Sequence, residues 1–126
     1  MSTLKVNDIE EATSGGGKIA VARAWVFLKN TGTFTVNDSF NVSSVTDNAG
    51  GDQTANWSNN MSNTYYVASG STAYGQNNSA ANGRYIAPYS TDNFTTSRLR
   101  FQSVYSYNVG GQDMDKVNVI IFGDLA

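Results

Sequence analysis

The sequence predicts an all-β domain, an antiparallel β-sandwich of jelly-roll-like type with about seven to nine strands. Three observations carry this expectation. Apolar residues recur at period two through most of the chain, and turn residues punctuate it every 8–12 positions or so. Only one alanine-rich segment offers a helix as a rival. The chain has 126 residues, enough for one compact domain.

The first segment with strand character is residues 19–28. Ile19, Val21, Arg23, Trp25 and Phe27 fall on one face, and Ala20, Ala22, Ala24, Val26 and Leu28 on the other. Three alanines favour a helix, but the Trp-Val-Phe-Leu run ahead of Asn30-Thr31-Gly32-Thr33 favours a strand that can be covered on both sides. Phe34, Val36, Phe40, Val42 and Val45 follow among Thr, Ser and Asn, with a bend or bulge near Asp38-Ser39 and a slip of parity between Val42 and Val45. Val45 to Asp47, the turn Asn48-Ala49-Gly50-Gly51 and Asp52 to Trp57 read as a hairpin.

Tyr65-Tyr66-Val67-Ala68 is a short strand, ended by Ser69-Gly70-Ser71. Residues 70–83 are aperiodic and predict an exposed loop. Arg84 to Ala87 form a strand stopped by Pro88, the chain's one proline. Residues 97–105 alternate cleanly as far as Gln102, then blur at Ser103-Val104. Residues 108–113 turn the chain, and Lys116 to Phe122 make the last and most apolar strand. Ahead of all this, residues 1–17 predict an N-terminal attachment arm ending in the Gly15-Gly16-Gly17 hinge, with the sandwich over residues 18–126.

Composition narrows the chemistry. Charged residues are 14% of the chain, and Asn, Ser and Thr number 15, 14 and 12. Seven Tyr, six Phe and two Trp supply a core, so the expectation is a folded chain despite its polarity. Cys and His are both absent. Disulfides, Cys nucleophiles, Cys/His zinc sites and His-based triads are therefore excluded. A net charge of −2 argues against a nucleic-acid partner, which requires a concentrated basic face. No apolar stretch approaches the ~20 residues of a membrane span, and the opening MSTLKVNDIEEATSGGG lacks a signal-peptide run. Synthesis in a cytoplasm is expected, with no membrane partner and no cofactor.

Each motif with possible chemistry has a plainer reading. Gly15-Gly16-Gly17-Lys18 fails as a phosphate loop: Ala12 stands where the first glycine belongs, Ile19 replaces Ser or Thr, and no helix follows. The carboxylates are eight Asp and two Glu. Asp38, Asp47, Asp52, Asp92 and Asp113 fall in expected turns, where aspartate bonds its own backbone, so no catalytic residue and no enzyme activity is assigned. Asp113-Met114-Asp115 and Asp47-Asn48…Asp52 offer oxygens to Ca²⁺ without the spacing of an EF-hand, so no metal is assigned either. Arg98 and Arg100 share a strand face, with Arg84 as a possible third member, and read as a hydrated face or subunit contact.

The stretch with binding character is rich in Tyr and Asn. Tyr74 with Asn77, Asn78 and Asn82 combines rigid amphipathic rings with adaptable amides, the division of labour antibody loops use, and is the expected receptor- or glycan-binding set. Tyr65 and Tyr85 read instead as core or subunit contacts. In the arm, Leu4, Val6 and Ile9 are the expected attachment residues, adding as a strand to a partner's sheet edge.

Several segments resemble a known family. Ala24-Trp25-Val26 with Gly32-Thr33, the block Ser39-Phe40-Asn41-Val42-Ser43-Ser44-Val45-Thr46-Asp47-Asn48, and Asp52 to Trp57 are similar to a small β-domain of tailed-bacteriophage virion proteins, of tail-fibre or tail-tip type. Tyr65-Tyr66-Val67, Ser97-Arg98-Leu99-Arg100 and Val117-Asn118-Val119-Ile120-Ile121-Phe122-Gly123 continue the resemblance, and Ser2-Thr3-Leu4-Lys5-Val6-Asn7 resembles leaders of such chains. Phe27-Leu28-Lys29 departs from the polar residues expected after the Trp-Val pair, and residues 70–83 have no fixed pattern to compare. The resemblance implies a homotrimeric structural protein of the virion, without catalysis, displayed outside as a tail appendage that binds a host-surface glycan or protein. A capsid decoration (cement) protein, stapling the head shell, is the alternative.

Overall fold

In the computed structural model, residues 21–75, 83–107 and 110–126 are described. They form nine strands: β1 (Ala22–Lys29), β2 (Thr35–Phe40), β3 (Val42–Ala49), β4 (Asp52–Trp57), β5 (Val67–Ala73), β6 (Arg84–Pro88), β7 (Arg98–Tyr105), β8 (Gly110–Gly111) and β9 (Lys116–Phe122). The only helical element among them is a 3₁₀ turn at Thr91–Asn93. One sheet has the order β2-β1-β9-β5, the other β3-β4-β7-β6 with β8 also on β7. Every ladder is antiparallel, so the expected all-β sandwich is the observed architecture.

Side-chain alternation explains the layering. On β1, Ala24, Val26 and Leu28 are buried while Trp25 and Phe27 are half-buried on the opposite face. Val117, Val119 and Ile121 of β9 join the first three in the core. From the other sheet come Ala55, Trp57, Leu99 and Phe101. The small residues of β1 thus face bulky rings across the interior, the large-against-small fit that native packing density requires. Both faces of β1 are partly covered, as its sequence indicates.

The chain changes sheets at Asn41, whose φ is 54°. Asparagine tolerates this left-handed conformation better than other residues with a side chain. Here its amide nitrogen also donates to the Arg23 carbonyl at 3.0 Å and the Asn59 carbonyl at 3.1 Å, while its oxygen accepts from the Asn59 N–H at 2.7 Å. The expected irregularities flank this corner. The β1–β2 register shifts opposite Phe27 and Leu28, and the β3–β4 register shifts between Val42 and Ser44.

Two expectations need correction. Ser69-Gly70-Ser71 does not end a strand; it lies within β5, with Gly70 paired to Val119. A Cβ at Gly70 would sit 2.1 Å from the Asn118 carbonyl oxygen and 3.2 Å from Ile86 Cγ1. Glycine here permits close backbone approach and does not mark a turn. Tyr65 and Tyr85, expected as core or subunit contacts, are not core: they are 91% and 47% exposed, and the buried member of the Tyr65-Tyr66 pair is Tyr66. Its ring lies edge-on to Trp57 at 6.3 Å and tilted against Phe94 at 5.3 Å. Its hydroxyl donates toward the Thr95 and Arg98 carbonyls. Burial, the largest cause, pushes the phenol pKa up to about 12.

The interior also holds polar groups. Asn30 is buried and bonded in both directions to the Met114 backbone. Gln53 is fully buried, and neither end of its amide has a partner among the described residues.

Candidate functional site

The outward face of the five-stranded sheet is where polar and aromatic groups converge. Alternation along β7 sends Leu99, Phe101 and Ser103 inward and Arg98, Arg100 and Gln102 outward. β4 sets Asn56 beside Arg98, Thr54 beside Arg100 and Asp52 beside Gln102. On the other flank, β6 sets Tyr85 beside Val104 and Ala87 beside Gln102, and the Tyr89 N–H donates to the Arg100 carbonyl. Tyr85 and Tyr89 therefore share one face, about 13 Å apart along the strand.

The centre of this face is rigid. Arg100 donates from Nε to Asp52 Oδ1 at 2.9 Å and from Nη2 to Asp52 Oδ2 at 2.6 Å, a bidentate pair. The guanidinium lies over the Tyr89 ring, 4.0 Å from its centroid. Asn48 donates to Asp52 Oδ1 at 3.2 Å and to Thr54 Oγ1 at 2.9 Å, and Asn56 donates to Ser44 Oγ at 3.1 Å. Arg100 holds the Asp52 carboxyl below the ordinary carboxylate range, against the opposing effect of burial, and Asn48 adds to the lowering. Asp52 in turn raises the Arg100 guanidinium above its ordinary value. Both shifts favour the charged pair.

Asp52 is thus a further correction, since it was expected to cap its own turn. Its carboxylate reaches across the sheet because the β3–β4 turn is held by another residue: Asp113 accepts from the Gly51 N–H at 2.8 Å. Gly51 has φ 68°, and a Cβ there would lie 2.1 Å from the Gln112 nitrogen. Asp115 accepts from Thr31 Oγ1 and, at 2.6 Å, from the Gly75 N–H. These two bonds hold its carboxyl below the ordinary range, the Thr31 hydroxyl foremost. Of the aspartates considered as Ca²⁺ ligands, Asp113 and Asp115 are therefore occupied as turn locks and Asp52 as the Arg100 partner. Among the described residues no three His, Cys, Asp or Glu side chains converge.

Tyr74 occupies a second, separate rim. It is 40% exposed, and Arg84 stacks between it and Tyr105, 5.7 and 4.8 Å from the two ring centroids. Tyr107, 77% exposed, adds a ring 6.1 Å from Tyr105. Arg84 does not join Arg98 and Arg100, because it pairs with Tyr105 on the inward register of β6. This rim flanks the expected loop, whose feet are tied by the Gly75–Asp115 bond and by Ser106 N–H to the Gly83 carbonyl at 2.9 Å. Asn77, Asn78 and Asn82 lie outside the described residues, as do Leu4, Val6 and Ile9 of the arm and the Gly15–Gly17 hinge.

Sequence reasoning found the shared face of Arg98 and Arg100 but missed Asp52, Asn48, Tyr85 and Tyr89 as their companions. The signal was present in part. Tyr85, Ala87 and Tyr89 alternate across Pro88, so one face carries both rings. The opposite surface of the molecule, on the four-stranded sheet, differs in kind. There Trp25 pairs with Phe40 and Ile120, and Phe122 with Val67. Phe40 and Val67 are 53% and 62% exposed.

No helix among the described residues is long and apolar enough to cross a membrane. Comparison of the chain with protein-family models, with curated proteins and with solved structures finds no match.

Proposed function

We propose that the chain is a non-catalytic recognition domain displayed on the exterior of a tailed-phage virion, as a tail appendage that binds a host-surface receptor or glycan. One observation carries the binding half of this reading: two half-exposed tyrosines on a sheet face whose central arginine is locked by Asp52 and Tyr89. Side chains fixed before a ligand arrives lose little entropy on binding. Exposed tyrosine supplies contact area with few rotatable bonds. The virion half rests on the sequence resemblance alone. Absence of Cys and the neutral Asn/Ser/Thr surface fit a particle protein assembled in a reducing bacterial cytoplasm and released by lysis.

A second reading has its own support. The apolar outer surface around Phe40, Trp25, Ile120, Phe122 and Val67 is of the kind that packs against neighbouring subunits. It favours the homotrimer, and it is equally what a capsid cement protein needs. The deciding experiment is immunogold labelling of intact particles with antibody to the chain, paired with binding of the purified chain to host cells. Label at the tail and saturable cell binding support the appendage. Label spread over the head without cell binding supports the cement protein, and unlabelled particles refute both.

A further inference from the structure

The outer face of the five-stranded sheet carries more information about its ligand than the general reading uses. Resting on the recognition role proposed above, the geometry points to a specific class: a saccharide bearing a carboxylate, laid across β4, β7 and β6 with its acid on Arg98.

Charge comes first. Arg100 is neutralised by Asp52, whereas exposed Arg98, two positions earlier on the same face, has no ion-pair partner among the described residues. The two arginines stand about 7 Å apart along the strand backbone. The face therefore presents one uncompensated positive charge within a chain whose net charge is −2. A guanidinium matches a carboxylate with two parallel N–H···O bonds, a geometry that water satisfies poorly. Arg100 has also committed only Nε and Nη2 to Asp52, leaving Nη1 as a donor for a neighbouring oxygen.

The rest of the ligand is set by what surrounds that charge. Tyr89, with one ring face under Arg100, and Tyr85 supply exposed aromatic surface at one flank. At the other flank exposed Asn48 and Ser44 and half-buried Asn56 line the surface, Asn56 bridging to Ser44 and Asn48 reaching inward to the hydroxyl of buried Thr54. Each bridge spends some of its hydrogen-bonding capacity and keeps some for a partner. A ligand must therefore offer an apolar face to a ring, several hydroxyls to fixed amides and hydroxyls, and an anion to one arginine. An oligosaccharide carrying a carboxylate, long enough to run the roughly 20 Å from Arg98 to the level of Val104 where Tyr85 sits, offers all three. Single-stranded nucleic acid would also stack on tyrosine, but it needs a basic track along many phosphates, and among the described residues this face carries one arginine without an ion-pair partner.

The test uses the full chain on an array carrying uronic-acid, sialic-acid and purely neutral oligosaccharides, with a single-stranded oligonucleotide alongside, and with host-cell binding measured in parallel. Expected hits are confined to carboxylate-bearing glycans and are lost when the carboxyl is reduced to the alcohol. Arg98→Ala weakens binding by about ten- to a hundredfold, and Tyr85→Ala weakens it without changing the melting temperature. Arg98→Lys keeps the charge and recovers only part of the affinity. Equal binding to neutral glycans, or retained affinity in Arg98→Ala, overturns the acidic-saccharide assignment while leaving recognition intact. Cell binding with no glycan hit, or preference for the oligonucleotide, overturns it too. Absence of both glycan and cell binding overturns the recognition reading itself.

Discussion

Replacing Gly70 by alanine should destabilise this protein, although the same change in most strands is favourable. Alanine normally gains about 0.4–1 kcal/mol by restricting the unfolded chain. At position 70 the added methyl would stand 2.1 Å from the Asn118 carbonyl oxygen, a backbone atom that cannot swing aside, and 3.2 Å from Ile86 Cγ1 on the facing sheet. Relief requires β5 to move off β9 around the Gly70–Val119 pair. Because β5 is an edge strand, it can yield, which limits the loss to the roughly 1–3 kcal/mol typical of overpacking. Subtracting the unfolded-state gain leaves about 1–2 kcal/mol net destabilisation. For 126 residues the unfolding entropy is about 0.26 kcal/mol/K, so the melting temperature should fall by roughly 4–8 °C. The control is Gly50→Ala, whose new methyl meets nothing nearer than Asp113 Oδ1 at 3.9 Å; it should leave stability unchanged or slightly raised. Thermal unfolding followed by circular dichroism, with urea titration as a check, measures both. A Gly70→Ala protein as stable as the parent would refute the close β5–β9 approach.

Four other outcomes are expected. Phe101→Ala, which empties a fully buried ring position, should lose about 3–5 kcal/mol in urea unfolding. Gln53→Met should stabilise by about 1–3 kcal/mol, because it replaces a buried amide unpartnered among the described residues with an apolar chain of similar shape; a lower midpoint in denaturant would count against this. Asp52 has a lowered pKa in the folded state, so its contribution is present above the unfolded value near 3.9 and is lost as pH falls through the lower folded value. Acid unfolding of Asp52→Asn should accordingly show a shallower limb below about pH 4, with Asp115 still contributing. Tyr66 has a raised pKa, so its contribution holds below the unfolded value near 10 and disappears as pH rises through about 12. Spectrophotometric titration should find a phenol ionising at about 12, and Tyr66→Phe should remove that step.

Most of the strand framework was legible because it depends on local alternation. β7 and β9 follow their apolar periodicity, and the β3–β4 hairpin turns at Gly50-Gly51, with Asn48 and Ala49 of the expected turn still within β3. What escaped depends on partners distant in sequence. Gly70 looks like a terminator until Asn118 is seen against it, and Asn41 looks like an ordinary strand residue until the chain must change sheets there. The site divides in the same way. Arg98 and Arg100 are two apart on one strand, so their shared face is written locally. Asp52 meets Arg100 across 48 positions, and Tyr89 meets it through β6–β7 pairing. No window of sequence contains those contacts. The same limit explains Tyr85, because alternation gives its parity but not which side of the sheet is covered.

The two broad surfaces of the sandwich stand back to back, with the whole interior between them. Facing sheets lie about 10 Å apart, and substitutions separated by that much without common partners act additively. Changes near Tyr85 or Arg98 should thus leave the apolar surface around Phe40 and Val67 untouched, and the reverse. The molecule is built like a tile with two unlike surfaces, polar and aromatic on one side and apolar on the other, each open to substitution independently of its opposite.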